Sequence, residues 1–419
     1  MEQLGIVIKA SRSHALATLI RLLGDFDLAE EAIQEAVYRA VIDWQSKKVI
    51  PENPVAWLVQ TGRRYATDVV RHREMAQRHH QTLAPLQTES VEQDQDEEMS
   101  SMHLPDDQLR LIFTCCHPAL AQEAQVALTL KTVAGLSIDE IARTYLTSAK
   151  TIDQRLTRAK RKIRDAAIPY QVPSEEQLEV RLEAVMSVLY LIYNQAYTTL
   201  KGSELLDKQL SETAIYLTRM LSRLMRGNPE VQGLLALMLL QHARAAARSD
   251  DQGAPVPLEQ QDRTRWDQKL IAEGTVLVEK SLRHQTPGRY TLQAAIAAVH
   301  CQAKQPEETD WEQISMLYDL LEGLTPGPVV TLNRAIAVAR WKGADVGLQI
   351  LDTLQHEKSM AGFQYYHSAR AGLLEEMGDY CAALAAYREA LRLCRNSAEI
   401  GHLQSRIEQI EEHCGPRRH

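Results

Sequence analysis

Residues 136–163 read LSIDEIARTYLTSAKTIDQRLTRAKRKI, and their spacing decides how the rest of the chain is read. Ser137-Ile138-Asp139-Glu140 has the form of a capping box, which starts a helix by pairing a serine hydroxyl and a glutamate carboxylate with backbone N–H groups. The short helix it opens turns Ile138, Ile141 and Ala142 inward. Thr147 or Ser148 is placed to cap the next helix, in which Ile152, Leu156, Ala159 and Ile163 form one apolar stripe. Lys150, Gln154, Arg158 and Arg161 fall opposite, with Thr151 and Lys162 beside them. Arginine and lysine reach guanine O6 and N7 or phosphate, and glutamine pairs with adenine, so this face has the chemistry of a major-groove reader. The pattern predicts a helix-turn-helix. Leu146 stands in the turn, where a glycine would ease a positive φ, so the turn is expected to take a different conformation.

The chain has 419 residues, of which 45% are hydrophobic, 24% charged and only 5% aromatic. Ala, Leu, Glu, Arg and Gln dominate, which predicts an all-α protein with more than one core. The formal net charge of −8 excludes a chain that coats nucleic acid along its whole surface. Basic residues are instead concentrated at 63–73 and 150–164, and acidic ones at 89–107. The N-terminus does not read as a signal peptide, and the longest apolar run, Gly233 to Leu240, falls far short of the roughly 20 residues of a membrane span. A cytoplasmic protein with no membrane contact is expected, with its six cysteines as free thiols.

Working outward, Ile6 to Leu23 reads as an amphipathic helix ended by Gly24. A second helix follows, with Asp27 and Glu30 as a capping pair and Ala29, Ala32, Ile33, Ala36, Val37, Ala40, Val41 and Trp44 on one face. Asn53-Pro54 starts a third, expected to run to about Arg73. These make a first domain over residues 1–75, followed by a flexible acidic linker over 76–105 and a second helical domain over 106–168. Residues 174–419 read as a third, helical domain interrupted near Asn228-Pro229, 249–257, 286–288 and 325–328. Gly378-Asp379-Tyr380, followed by Ala383, Leu384, Tyr387, Ala390 and Leu391, has the small and large alternation of a tetratricopeptide helix pair. Gly343 lies roughly one 34-residue period before it.

With these motifs in place, residues 136–163 resemble region 4.2 of sigma factors, which reads the −35 promoter element. Residues 27–35, DLAEEAIQE, are similar to region 2.2, which docks on core RNA polymerase. Asn53 to Leu58, with Arg63, Asp68, Arg71 and Arg73 after it, resembles regions 2.3 and 2.4, which open and read the −10 element. Two such blocks joined by a linker resemble the extracytoplasmic-function group. CCHPAL at 115–120 and QDRTRWD at 261–267 are similar to a subgroup with a tetratricopeptide-like extension.

The resemblance implies a transcription initiation factor whose partners are core RNA polymerase and promoter DNA. It implies contacts to the −35 element from Lys150, Thr151, Asp153, Gln154, Arg155, Arg158, Arg161 and Lys162. For the −10 element it implies Trp57, Arg63, Arg64, Tyr65, Arg71 and Arg73, and for polymerase Asp27, Glu30, Glu31, Gln34 and Glu35. Trp57 reads equally as a core residue. Arg64 and Asp153 depart from the general sigma pattern, so promoter specificity is expected to differ from that of other groups. The C-terminal domain would regulate, through a protein partner or an intramolecular contact. A DNA-binding regulator that never touches polymerase, or a scaffold built on the helical C-terminal half, are the alternative readings.

No GxSxG, Walker A, GxGxxG or HExxH motif occurs, so neither an enzyme nor a cofactor is expected. Cys115, Cys116 and His117 lack the spacing of a metal site and read as a buried turn. Gln261 to Asp267 reads as a salt-bridged loop clamping two helices with Trp266 as its buried anchor, or as a ligand or partner site of Arg263, Arg265 and their acidic neighbours.

Overall fold

Gly24 ends α1 (Glu2–Leu23) in the left-handed conformation, φ +67°, with its N–H donating to Ile20 O at 2.9 Å. The chain then turns directly into α2 (Phe26–Lys47). The computed structural model describes residues 2–47, 49–80, 104–145, 147–197, 208–250, 256–284, 286–394 and 397–414, and its elements are helical, as expected. The cap of α2 differs from expectation: Asp25 Oδ1 accepts from the N–H groups of Asp27 and Leu28, at 2.8 and 3.0 Å. The helix starts before the Asp27-Glu30 pair, which leaves both carboxylates available for other contacts. Asn53 caps α3 (Pro54–His80) as read, accepting from Ala56 N–H at 3.0 Å. This helix outruns its expected end at Arg73, because Glu74 to His80 contains good helix formers and neither proline nor glycine. Of the expected linker, residues 76–80 belong to α3 and 104–105 to α4 (Leu104–Cys115), while 81–103 lie outside the described residues.

Residues 1–191 cluster as one compact unit. In it α1 packs on α2, α3 and α4, so Leu16, Ala17, Leu19 and Ile20 are buried from several sides. The crossing of α3 depends on Gly62, where a Cβ would stand 2.9 Å from Leu19 Cδ1 and 3.2 Å from Ala32 O. The unit continues through α5 (Gln122–Leu128), a π-helical turn (Thr129–Val133), α6 (Ile138–Thr144), α7 (Ala149–Asp165) and the first part of α8 (Glu175–Tyr197).

One buried acid ties α4 to α1. Asp107 Oδ2 accepts from Thr18 Oγ1 and Arg21 Nε at 3.0 Å each, and Arg110 donates to Oδ1 at 3.1 Å. Tyr170 O–H, bonded to the carbonyls of Ala17 and Asp107 at 2.9 Å each, closes the same junction. Removing the Asp107 side chain leaves two arginines and a buried hydroxyl without their acceptor. Asp107→Ala is expected to cost about 3 kcal/mol in urea unfolding, against under about 1 kcal/mol for exposed Asp165→Ala.

Cys115 and Cys116 are fully buried, bonded to Thr132 Oγ1 at 3.2 Å and Thr129 Oγ1 at 3.5 Å of the π-helical turn. Burial pushes the Cys116 thiol up to about 12 and Cys115 higher still, so neither is a reactive thiolate. The segment is a buried turn joining α4 to α5, and no cluster of three metal-ligating side chains occurs among the described residues.

Residues 192–419 form a second unit, in which helices near in sequence pack on one another. Its helices are α9 (Lys208–Leu224), α10 (Pro229–His242), α11 (Gln268–Leu282), α12 (Arg289–Gln302), α13 (Trp311–Leu324), α14 (Pro328–Lys342), α15 (Ala344–Asp352), α16 (Lys358–Ala361), α17 (Gln364–Glu376), α18 (Tyr380–Leu393) and α19 (Ser397–Cys414). The Gly233 to Leu240 run is the buried centre of α10, enclosed by α9, α11 and α12. Gly233 admits α12 so closely that a Cβ would meet Thr291 N at 2.7 Å. Glu230 caps that neighbour, accepting from Tyr290 N and Thr291 N at 3.0 and 3.1 Å, an acid at a helix N-terminus. Farther along, the core divides into local clusters, one around Ile296, Ile314 and Ala337, the next around Leu332, Leu351 and Tyr366, the last around Ala371, Tyr387 and Ile407. Each is shared by adjacent helices, as in stacked helical hairpins. Gly378, φ +79°, and Asp379, which accepts from Ala382 N at 3.1 Å, form the tight turn between α17 and α18.

At the end of α12, burial and the guanidinium groups of Arg244 and Arg263 hold the His300 imidazole down at about 3. Its unfolded value is near 6.5, so the stability due to the neutral ring is complete above that pH and lost as pH falls toward 3. Between pH 7.5 and 5.0 the chain is expected to lose about 2 kcal/mol more stability in urea than His300→Gln does. Equal losses would show that this histidine is not held neutral.

Candidate nucleic-acid interface

The capping box forms as read: Glu140 Oε2 accepts from Ser137 N–H at 2.7 Å and Ser137 Oγ from Glu140 N–H at 3.2 Å. Thr147 N–H donates to Ala142 O at 2.9 Å, closing the turn, while Leu146 itself lies outside the described residues. Of the two candidate caps Ser148 is the one used, its Oγ accepting from Thr151 N at 3.1 Å. Ile152, Leu156, Ala159 and Ile163 are buried against α5 and α6, which fixes the rotation of α7 about its axis. The opposite face is thereby exposed: Lys150, Asp153, Gln154, Arg158, Arg161 and Lys162 all lie on the surface.

Two expected members of this surface are placed differently. Thr151 is half-buried and its hydroxyl lies 2.8 Å from Ser148 Oγ, so it belongs to the cap; Arg155 is half-buried at the edge of the face. Arg161 is only loosely held, by Asp165 at 3.3 Å with both side chains exposed, and such a pair yields readily to phosphate. Asp153 is the exposed acid among these cations, suited to cytosine N4 and repelled by phosphate.

Along α3, Trp57, Arg64 and Arg71 recur every two turns and so share one side of the helix. Trp57 is half-buried, its ring edge-on to buried Trp44 at 5.3 Å, which leaves part of the indole open to a stacking partner. Arg63, Arg64 and Arg71 are exposed and Tyr65 is half-buried. Arg73 stands apart, 3.6 Å from Glu31 of α2.

The α2 residues are not equivalent either. Glu31 and Gln34 are exposed, and Glu35 is paired with Arg39 at 2.7 Å. Asp27 and Glu30 converge on Lys160 of α7, whose Nζ lies 2.9 Å from Asp27 Oδ1 and 3.0 Å from Glu30 Oε2. Burial opposes the Lys160 ammonium, yet Glu30 and Asp27 outweigh it and hold its pKa above the ordinary lysine value. Arg12 and Lys131 also bear on Glu30, and burial lowers both their pKa values. Lys160 was not among the sequence candidates. Its signal was its place beside the apolar stripe, three residues before Ile163 and four after Leu156. In this structure, then, the helix-turn-helix and the α2 acids are joined by a partly buried ion pair.

Comparison with known proteins fits this geometry. Residues 110–163 match sigma-70, region 4, which spans α4 to α7, and residues 181–282 match a family of unknown function, DUF6596. An uncharacterized protein of Rhizobium meliloti (strain 1021) is 41% identical over 407 residues, covering 97% of this chain and 95% of its own length. No helix among the described residues is long and apolar enough to cross a membrane.

Proposed function

The chain belongs, over nearly its whole length, to one family with the Rhizobium meliloti protein, and on that premise and its match to sigma-70, region 4, we propose that it is a sigma-70 family member, an RNA polymerase sigma factor of the extracytoplasmic-function type. The observation that carries this reading is the pairing of a region 4 helix-turn-helix with an N-terminal block of α1, α2 and α3 that has both an acidic helix face and a line of tryptophan and arginine.

In this reading the exposed residues of α7 read the −35 element. Arg63, Arg64 and Arg71 neutralise the strands at the −10 element while the open edge of Trp57 stacks on an unpaired base, an interaction worth about 1–3 kcal/mol. Glu31 and Gln34, exposed on α2, make the first contact with core polymerase, and Asp27 and Glu30 follow once Lys160 releases them. The free chain therefore holds part of its polymerase surface closed. Residues 192–419 act as a tetratricopeptide-like regulatory domain in place of a separate inhibitor. The protein works in the cytoplasm and is not an enzyme.

Affinity capture with purified core polymerase tests the reading. The full chain should bind stably and stoichiometrically, and Glu31→Lys with Gln34→Ala should abolish capture without changing the helical circular dichroism. Tight binding to duplex DNA without polymerase, and no capture, would instead mark a one-component DNA-binding regulator.

A further inference from the structure

The loop that joins α10 to α11 gathers polar groups that the transcription role does not use. Arg263 lies over the ring of Trp266 at 4.9 Å and donates through one terminal nitrogen to His300 O at 3.0 Å and Ala303 O at 2.6 Å, at the C-terminal end of α12. Asp267 N–H donates to Ala243 O at 2.9 Å, which draws the loop against the residue preceding Arg244. Arg244, Arg263 and His300 therefore lie within electrostatic reach of one another. Trp266 is 3% exposed, while Arg244, Gln261, Arg263 and His300 are half-buried.

Arg263 clamps the loop as expected, but through the carbonyls of His300 and Ala303 and the Thr309 hydroxyl rather than through the expected salt bridge, which Arg263 does not form among the described residues. That clamp does not account for the cluster as a whole. Arg244 Nε, Arg263 Nε, Trp266 Nε1, Gln261 Oε1 and His300 Nδ1 are all buried without a hydrogen-bond partner among the described residues. Among the described residues neither arginine has a carboxylate within ion-pair distance, and Glu308, which acts on Arg263 from farther away, is engaged with the N–H groups of Lys304 and Gln305 at 3.0 and 3.3 Å. Water can satisfy single N–H groups but cannot offset two neighbouring guanidinium charges held partly out of solvent. Gln261 Oε1 is an acceptor and takes no part in holding an anion, but the arginine and indole nitrogens donate, as does His300 Nδ1 in its N–H tautomer, and such donors, with a planar guanidinium fork among them, fit an oxyanion.

We infer that Arg244, Arg263, Trp266 and His300 form a binding site for a small oxyanion, the carboxylate or phosphoryl group of a soluble ligand, in the residue 192–419 unit. Arg244 supplies the charge and the fork, Arg263 adds a second charge from a fixed position, and the Trp266 and His300 ring nitrogens orient the oxygens. All four residues belong to the 192–419 unit, and the site gives the regulatory domain of the proposed function a chemical input.

Isothermal titration of the full chain with orthophosphate and, separately, with acetate at neutral pH tests it. At least one anion should bind at a single site and perturb tryptophan fluorescence, and Arg244→Gln should weaken that binding by about tenfold or more. Arg244 makes no side-chain hydrogen bond among the described residues and its charge is not offset there, so Arg244→Gln should unfold at the same or a higher urea concentration than the parent when no anion is present. Trp266→Phe keeps the aromatic packing and removes the N–H donor, and it should weaken the same anion several-fold. Arg244-dependent binding of phosphate alone assigns a phosphoryl ligand, and of acetate alone a carboxylate. Absence of binding by both anions, or binding equal in Arg244→Gln and the parent, overturns the site.

Discussion

Glutamate at both Arg158 and Arg161 is expected to lower promoter-specific transcription by at least about a hundredfold while leaving core-polymerase binding intact. The two arginines project from the exposed face of α7, where each contact to a base edge or phosphate is worth about 1–3 kcal/mol, and reversing the charge adds repulsion from the backbone. Neither side chain contributes to the core of the unit, which rests on Ile152, Leu156, Ala159 and Ile163, so unfolding in urea should shift by less than about 0.5 kcal/mol. Run-off transcription and polymerase capture on the same preparation separate the effects. Undiminished transcription would mean that α7 does not read the promoter; equal loss of polymerase capture would mean that it serves the enzyme contact instead.

Lys160→Met should act in the opposite direction, raising the affinity for core polymerase about tenfold, or roughly 1.4 kcal/mol. Methionine keeps the packing of the aliphatic stem but releases Asp27 and Glu30. Arg12 and Lys131 remain beside Glu30, so its carboxylate is not stranded without a counter-charge. Fluorescence anisotropy of labelled chain titrated with core polymerase reads the change. An affinity that stays the same or falls would mean that the Lys160 contact does not compete with polymerase.

These two predictions mark where the sequence was readable and where it was not. The helix-turn-helix was legible because every signal in it is local: Ser137 with Glu140, Ser148 with Thr151, and a stripe from Ile152 to Ile163 repeat at distances set by one helix. Gly24 and Asn53 were legible for the same reason. The hidden features are long-range pairings. Lys160 meets Asp27 across 133 residues and Thr18 meets Asp107 across 89, separations over which hydrophobic periodicity carries no information. The Asp27-Glu30 pair has the right spacing for a cap, but Asp25 had already started the helix, and only the fold shows that the two acids turn to α7. In the second unit, the loop at residues 261–267 stood out by composition, yet Arg244 and His300, which complete its polar cluster, sit on segments that read as ordinary helix.

The central claim is that the chain gives core polymerase its promoter, and the most direct measurement is in vitro transcription with purified core enzyme on a library of genomic fragments. Full chain added to core should yield discrete start sites absent with core alone and lost with Arg158→Glu, Arg161→Glu. The same start sites with and without the chain, at concentrations where it binds duplex DNA, would contradict the account.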